Sequence, residues 1–280
     1  MMSSNRRITT TVIQEKKAEG KAITMLTAYD FSMAKFLDGV GIDMLLVGDS
    51  LGNVVLGYDS TLPVTMEDMI HHGKAVCRGA KGAMVVVDMP FMSYQVSVEQ
   101  AVTNAGRIMK ETGAQAVKLE GGREIADAIK KIVAAGIPVV GHLGLTPQSV
   151  HSLGGFKVQG KEEKGAQRLL DDAKMLEESG AFAVVLECVP ALLAQKISQA
   201  ISIPTIGIGA GVHCDGQVLV INDLLGLYPG FSPKFAKQYA SLHSQVAQAV
   251  ADYKREVEAR VFPAAEHSFK ISDEVLEKLY

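Results

Sequence analysis

No run of apolar residues in this chain approaches the roughly 20 that a membrane-spanning helix needs, so insertion into a bilayer through such a helix is not expected. Its opening residues, MMSSNRR, lead into polar ITTTVIQEKK where a secretory signal would place an apolar core. Cysteine is scarce: Cys77, Cys188 and Cys214 form an odd, widely spaced set without a CxxC pair, which argues against a disulfide framework and for a reducing, cytoplasmic setting. Cys77 and Cys188 read most simply as core residues. Neither sign of charge dominates. A net charge of -3 with scattered Lys and Arg leaves no basic stripe for nucleic acid and no acidic tail, so the expected partner is a small molecule. His71, His72, His151, His213, His243 and His267 compose no HxH or HExxH set, which disfavours a histidine-rich metal site. Linkers and low-complexity tracts are also missing, and 280 residues, 48% of them hydrophobic, suffice for one large domain over 1–280 with a full core.

What the chain does have is a repeated grammar. Helical stretches end in Gly, a short apolar run follows, and the run ends in a polar residue. Gly41 leads IDMLLVG to Asp49, Gly82 leads AMVVV to Asp88, Gly113 leads AQAVKL to Glu120, Gly136 leads IPVVG to His142, and Gly180 leads AFAVVL to Glu187. With KAITMLT (21–27), PTIGIGA (204–210) and GQVLVIN (216–222), eight strands are expected. Thr65 and Asp68 form a capping pair before MEDMIHHGKAVCRG, and Ser97 with Gln100 another before EQAVTNAGRIMKET. REIADAIKKIVAA and EEKGAQRLLDDAKMLEES carry helical apolar spacing. Near-continuous apolar strands alternating with helices predict a parallel (β/α)8 TIM-type barrel with a C-terminal helical extension. Residues 144–160, glycine-rich and aperiodic, read as an active-site loop or lid. Beyond Phe231 a helix around PKFAKQYASLHSQVAQAVADYKREVEAR is expected to close the domain, and the tail ISDEVLEKLY to form a short helix packed on the body or a neighbouring subunit.

The ends of parallel barrel strands face one mouth. Asp49, Asp88 and Glu120 end three successive strands about 4.8 Å apart, close enough to reach one ion or its bound waters. All-oxygen ligation favours Mg2+ or Mn2+. Any one of these acids could instead cap a helix or pair with a cation. Lys118 stands two residues before Glu120 on the same face, where it could hold a substrate carboxylate or a developing enolate, or simply pair with Glu120. His142 could bond substrate or be structural. Glu187 ends the apolar strand AVVLECV; apolar surroundings would raise its pKa and suit it to act as a general base, although a capping role before Pro190 is equally compatible. The glycines of GIGAG (207–211) could admit a ligand to the backbone, but no Lys-Ser/Thr follows to make a phosphate loop.

The words MLTAYD (25–30), VGDSLG (47–52), STLPVTMEDM (60–69), KLEGG (118–122), GHLGLTPQSV (141–150), GGFKVQG (154–160), LECVP (186–190), IGIGAG (206–211) and PKFAK (233–237) closely resemble the ketopantoate hydroxymethyltransferase family over nearly the whole chain. The resemblance implies transfer of a one-carbon unit from 5,10-methylenetetrahydrofolate to 3-methyl-2-oxobutanoate, giving 2-dehydropantoate for pantothenate and coenzyme A synthesis. It also implies one Mg2+ per subunit and a homo-oligomer, usually a decamer. By the same resemblance Asp49, Asp88 and Glu120 lie at the metal, Asp49 and Asp88 also meeting substrate. Ser50 touches the substrate carboxylate, Lys118 binds substrate, His142 lies near the product hydroxyl, and Glu187 is the base that removes the C3 proton. Departures from the family pattern are confined to a longer tail after HSF (267–269) and to His213-Cys214 before DGQ. Two other readings are a lyase or mutase of the phosphoenolpyruvate mutase/isocitrate lyase type, whose K-x-C-G-H loop is absent here, and an inactive scaffold barrel, which would need none of the strand-end acids.

Overall fold

A computed structural model describes residues 7–228 and 233–279 of the chain. Their contacts gather into two compact units, one built from the described residues through Ile221 plus Pro233–Ala236, the other from the described residues of 222–232 and 237–280.

The first unit is a closed parallel barrel of eight strands in sequence order. The strands are β1 (Ile23–Thr27), β2 (Met44–Val47), β3 (Met84–Asp88), β4 (Ala116–Glu120), β5 (Val139–Gly144), β6 (Ala183–Glu187), β7 (Thr205–Ile208) and β8 (Gly216–Leu219), with β8 pairing β1 to close the ring. Helices Phe31–Val40, Met66–Gly79, Val98–Thr112, Ala126–Ala134, Glu163–Glu178 and Ala191–Ala200 occupy the crossovers between successive strands from β1 to β7. All eight expected strands form, although β8 stops at Leu219 and Ile221 already opens the short helix Ile221–Leu225.

Alternation along the strands sorts the barrel interior into layers. Ile23, Met25, Met44, Leu46, Met84, Val86, Ala116, Val140, Ala183, Val185, Ile206, Ile208 and Val218 make one buried apolar cluster, and Ile13 of the helix Thr10–Ala18 joins it. That helix is tied down by Lys17, whose Nζ donates to the carbonyls of Ser198, Ile201 and Ile203 at 2.9, 3.1 and 2.9 Å, satisfying the end of the helix Ala191–Ala200. Burying each large aliphatic side chain contributes roughly 1.5–3 kcal/mol, which helps offset the cost of the ionisable layer above the cluster. Two residues further along β3, β4, β5 and β6, the inward residues become Asp88, Lys118 with Glu120 beyond it, His142 and Glu187.

Local signals were realised unevenly. Gly41 and Gly113 end their helices in the left-handed conformation, with φ of 91° and 80°. Gly82 does not: the helix ends at Gly79 with Ala80 extended, and the Gly82 N–H donates to Asp38 Oδ1 at 2.8 Å. Thr65 and Asp68 bond reciprocally in a capping box. Ser97 accepts from Gln100 N–H at 3.1 Å, but the Gln100 side-chain oxygen makes no return bond. Cys77 and Cys188 are half-buried and not core, and Cys214 is buried; all three thiols are free.

In the second unit the helix is shorter than the sequence implied, spanning Leu242–Glu258 from a Ser241 N-cap. Residues 233–241 form turns and irregular backbone, and Phe231 lies outside the described residues. The tail forms the short helix Asp273–Leu276 and a 3-10 turn, Glu277–Leu279, with no buried residue. Among the described residues no helix is long and apolar enough to cross a membrane.

Candidate active site

The carboxyl ends of β3 to β6, with the turn after β2, build one buried polar cluster. Register brings it together: Asp88 pairs across from Lys118, Glu120 from His142, and Gly144 from Glu187. Asp49 sits two residues beyond the end of β2, and its N–H donates to Asp88 Oδ2 at 3.0 Å. Lys118 Nζ lies 3.2 Å from Asp88 Oδ1 and 3.6 Å from Glu120 Oε1. The imidazole of His142 spans the gap to β6, with Nδ1 3.3 Å from Glu120 Oε1 and Nε2 3.2 Å from Glu187 Oε2. The expected site residues Asp49, Asp88, Lys118, Glu120, His142 and Glu187 are thus linked in one continuous set of polar contacts. Ser50, beside Asp49, shares a 2.8 Å hydrogen bond with the hydroxyl of buried Tyr29.

Electrostatics in this layer are unbalanced. Four carboxyl groups, those of Asp49, Asp88, Glu120 and Glu187, face one ammonium and one imidazole. Burial, with the charges of Glu120 and Asp88, holds Asp49 well above the usual carboxylate range. Burial also raises Asp88, although Lys118 opposes it. Glu120 goes the other way: burial raises it, but Lys118 and His142 outweigh burial and hold it low. Burial lowers Lys118, and Asp88, Glu120 and Asp49 reverse this and hold its ammonium charged. For His142, burial and Lys118 act downward, but Glu120 and Glu187 prevail and its pKa stands at about 9. Lys118 Nζ is also 3.1 Å from His142 Nδ1, a contact that would need an unprotonated Nδ1. A pKa raised in this way favours the imidazolium, which would turn Nδ1–H to Glu120 Oε1 and set it against the Lys118 contact.

Two buried atoms lack an aligned hydrogen bond here, Asp88 Oδ1 and His142 Nε2; their approaches to Lys118 and Glu187 are ion-pair contacts. The surroundings of Glu187 differ from those its sequence neighbours implied. Its side chain is 16% exposed, and its near neighbour is the ionisable His142, because the apolar residues of its own strand alternate into the lower core or out under the helices. Among the described residues no three acidic, histidine or cysteine side chains converge on one point that would hold a metal ion by themselves. At two of the glycines of 207–211 protein fills the side where a side chain would stand: a Cβ on Gly209 would meet the Phe235 ring at 3.0 Å and one on Gly211 would meet Ala191 Cβ at 2.5 Å.

Of the expected loop 144–160, Gly144 still belongs to β5, and the rest is, as its composition implied, free of regular structure apart from a 3-10 turn, Pro147–Ser149. It also carries a residue that sequence reasoning passed over. Gln148 donates from its main chain to Glu120 Oε2 at 3.0 Å and from Nε2 to Asp49 Oδ2 at 2.8 Å. Tyr94, equally unmarked by any motif, donates its hydroxyl to Gln148 Oε1 at 2.7 Å.

A profile of the family described as ketopantoate hydroxymethyltransferase matches residues 7–265. The chain belongs to the ketopantoate hydroxymethyltransferase family. It is 65% identical over 267 residues to a 3-methyl-2-oxobutanoate hydroxymethyltransferase of Syntrophus aciditrophicus, covering 95% of this chain and 98% of that one. It is 61% identical over 274 residues to the enzyme of the same name from Carboxydothermus hydrogenoformans, covering 98% and 99%. As a ketopantoate hydroxymethyltransferase family member it is an enzyme, and its (β/α)8 barrel also occurs in distant solved structures. Phosphonopyruvate hydrolase superposes with a TM-score of 0.61 at 12% identity, covering 96% of this chain and 93% of that one. For 2,3-dimethylmalate lyase, a member of the phosphoenolpyruvate mutase/isocitrate lyase superfamily, the TM-score is 0.57 at 14% identity, with 96% and 94% covered. These two share the fold.

Proposed function

We propose that this enzyme transfers a hydroxymethyl group from 5,10-methylenetetrahydrofolate to 3-methyl-2-oxobutanoate, forming 2-dehydropantoate with the aid of one Mg2+ per subunit. The observation that carries the reading is the single polar cluster in which the acids of β2–β4 meet, through His142, a carboxylate on β6, in a chain of this family.

The residues present fit a hard divalent cation in donor chemistry and in charge. Asp49, Asp88 and Glu120 supply carboxylate oxygens, Asp88 Oδ1 lacks an aligned donor, and the four carboxyls outnumber the two cationic groups by two. Small hard cations often take one or two carboxylates and fill their remaining positions with water and substrate oxygens, which suits a site where acids do not enclose a point alone. Asp49 and Asp88, bonded to each other, would hold the cation, with Glu120 acting on it or on its waters. Bound there, the cation supplies Lewis-acid polarisation of the 2-oxo group.

Everything else falls to side chains. Ser50 offers its hydroxyl to the substrate carboxylate. Glu187 takes the C3 proton, and the electron pair left behind delocalises onto the 2-oxo oxygen, beside the Lys118 ammonium. His142, charged near neutrality, keeps Glu187 oriented. The methylene carbon is held by two folate nitrogens. One C–N bond opens as the other nitrogen shares its electron pair; C3 bonds to that carbon and the shared pair returns to nitrogen. Water then replaces this second nitrogen with a hydroxyl, the two nitrogens take up the C3 proton and one proton of water, and tetrahydrofolate leaves. A cytoplasmic homodecamer completes the proposal.

The test is turnover of 3-methyl-2-oxobutanoate, methylenetetrahydrofolate and Mg2+, followed by product mass. Failure to form a product one hydroxymethyl group heavier would reject the activity, and undiminished turnover after thorough chelation would reject the metal. Near-normal hydrogen–deuterium exchange at C3 in Glu187→Gln would reject the base.

A further inference from the structure

Gln148 belongs to a loop, yet its residue is only 5% exposed, and both polar atoms of its side chain are engaged. Nε2 donates to Asp49 Oδ2 at 2.8 Å and to the Met89 carbonyl at 2.9 Å. Oε1 accepts from the Tyr94 hydroxyl at 2.7 Å and from Gln95 Nε2 at 3.3 Å. Its main-chain N–H donates to Glu120 Oε2 at 3.0 Å. Tyr94 in turn accepts from the Glu120 N–H at 3.1 Å. One residue therefore holds two of the three candidate metal acids, Asp49 by its side chain and Glu120 by its backbone. The third, Asp88, is held by the Asp49 N–H.

The chemistry of an amide matters at this position. An amide donor fixes the orientation of a carboxylate without neutralising it, so the other lone pairs remain available to a cation. A Lys or Arg would compete with the cation, and a Glu would add a further buried negative charge. The loop is also fastened to the strand that bears the base: Leu145 N–H donates to the Glu187 carbonyl at 2.8 Å, and Gln159 N–H to the Cys188 carbonyl at 2.9 Å.

We infer that Gln148, braced by Tyr94, is the positioning residue that sets divalent-cation affinity by holding Asp49 in ligating orientation, and that the loop 144–160 is structural to the site and not only a cover for it. The inference rests on the metal reading above. Groups that orient metal ligands typically govern affinity by 10- to 100-fold.

Mn2+ binding to the full-length protein without substrate, read by the electron paramagnetic resonance of free Mn2+, tests this apart from turnover. Gln148→Met keeps the length and the backbone donor to Glu120 but removes every side-chain hydrogen bond; its Kd for Mn2+ is expected to rise 10- to 100-fold. Tyr94→Phe removes the brace together with the hydroxyl's bonds to the Glu120 main chain, with an expected rise of about 3- to 10-fold, and carries the test alone if Gln148→Met does not fold. Metal-free melting temperatures separate the two roles, since a purely structural Gln148 lowers Tm and leaves Kd within twofold, which overturns the inference. Absence of Mn2+ binding by the unaltered protein would overturn the metal reading itself.

Discussion

His142 Nε2 lies 3.2 Å from Glu187 Oε2 while Nδ1 of the same ring lies 3.3 Å from Glu120 Oε1. One imidazole therefore joins the proposed base on β6 to a proposed metal acid on β4. A ring in that place restricts the rotamers of Glu187. His142→Gln is expected to slow C3 hydrogen–deuterium exchange by roughly 10- to 100-fold, less than the loss on Glu187→Gln, because a proton-transferring group itself contributes about 10²–10⁴-fold. Proton NMR of 3-methyl-2-oxobutanoate in D2O reads both. Equal losses in the two variants would assign the proton transfer to His142.

Among the described residues Lys118 brings the only ammonium to the cluster, 3.2 Å from Asp88 and 3.6 Å from Glu120. Lys118→Met leaves buried negative charge without its partner, a change that costs about 3–5 kcal/mol. The metal-free variant is expected to unfold at correspondingly lower urea, and Mg2+ to recover more stability in it than in the unaltered protein. Equal urea midpoints without metal would show that carboxyl protonation absorbs the whole charge.

How much of this was legible in the sequence follows from which interactions are local. The strands were legible because each is a nearly unbroken apolar run whose ends are marked by a helix stop and a polar residue. Asp88, Lys118, Glu120 and His142 followed from strand parity, and Asp49 survived a strand that ended two residues early because the turn folds it back over Asp88. The environment of Glu187 was not legible: its decisive neighbour, His142, is 45 positions away in the chain and meets it only across paired strands. Gln148 and Tyr94 were silent for the same reason, since neither lies at a strand end and both take their meaning from tertiary hydrogen bonds. The irregular path of 233–241 was missed because its composition is compatible with a helix.

Cys188 follows Glu187 directly and has a left-handed φ of 49°. Burial, then the Glu187 charge, pushes its thiol up to about 11. Its reactive thiolate therefore appears only as pH rises towards that value. At pH 8 its alkylation by iodoacetamide is expected to run on the order of 100-fold slower than that of a free thiol with pKa about 8.5. The rate should climb about tenfold per pH unit up to pH 10. Glu187→Gln removes the second cause and is expected to speed the reaction. Mass mapping of the labelled peptide reads the rate, and labelling at pH 8 as fast as a free thiol would contradict this placement of Cys188.

Gly144 and Gly136 both hold left-handed backbone, with φ of 95° and 85°, but their surroundings differ. A Cβ on Gly136 would meet nothing within 4 Å, whereas one on Gly144 would fall 2.2 Å from the Glu187 carbonyl oxygen and 2.7 Å from Val189 Cγ2. Gly136→Ala should therefore cost only the left-handed backbone penalty, about 1–2 kcal/mol. At roughly 2–4 °C per kcal/mol for a larger domain, it should melt a few degrees lower with kcat unchanged. Gly144→Ala must in addition push the end of β6 aside and break the 2.8 Å bond from Leu145 N–H to Glu187. A displacement on the order of 1 Å at a reacting group can cost about 100-fold in rate, so its kcat is expected to fall at least tenfold beyond any loss of folded protein. Active-site titration against paired melting curves separates the two effects. Matching kcat values for Gly144→Ala and Gly136→Ala would mean that the β5–β6 contact does not position the base.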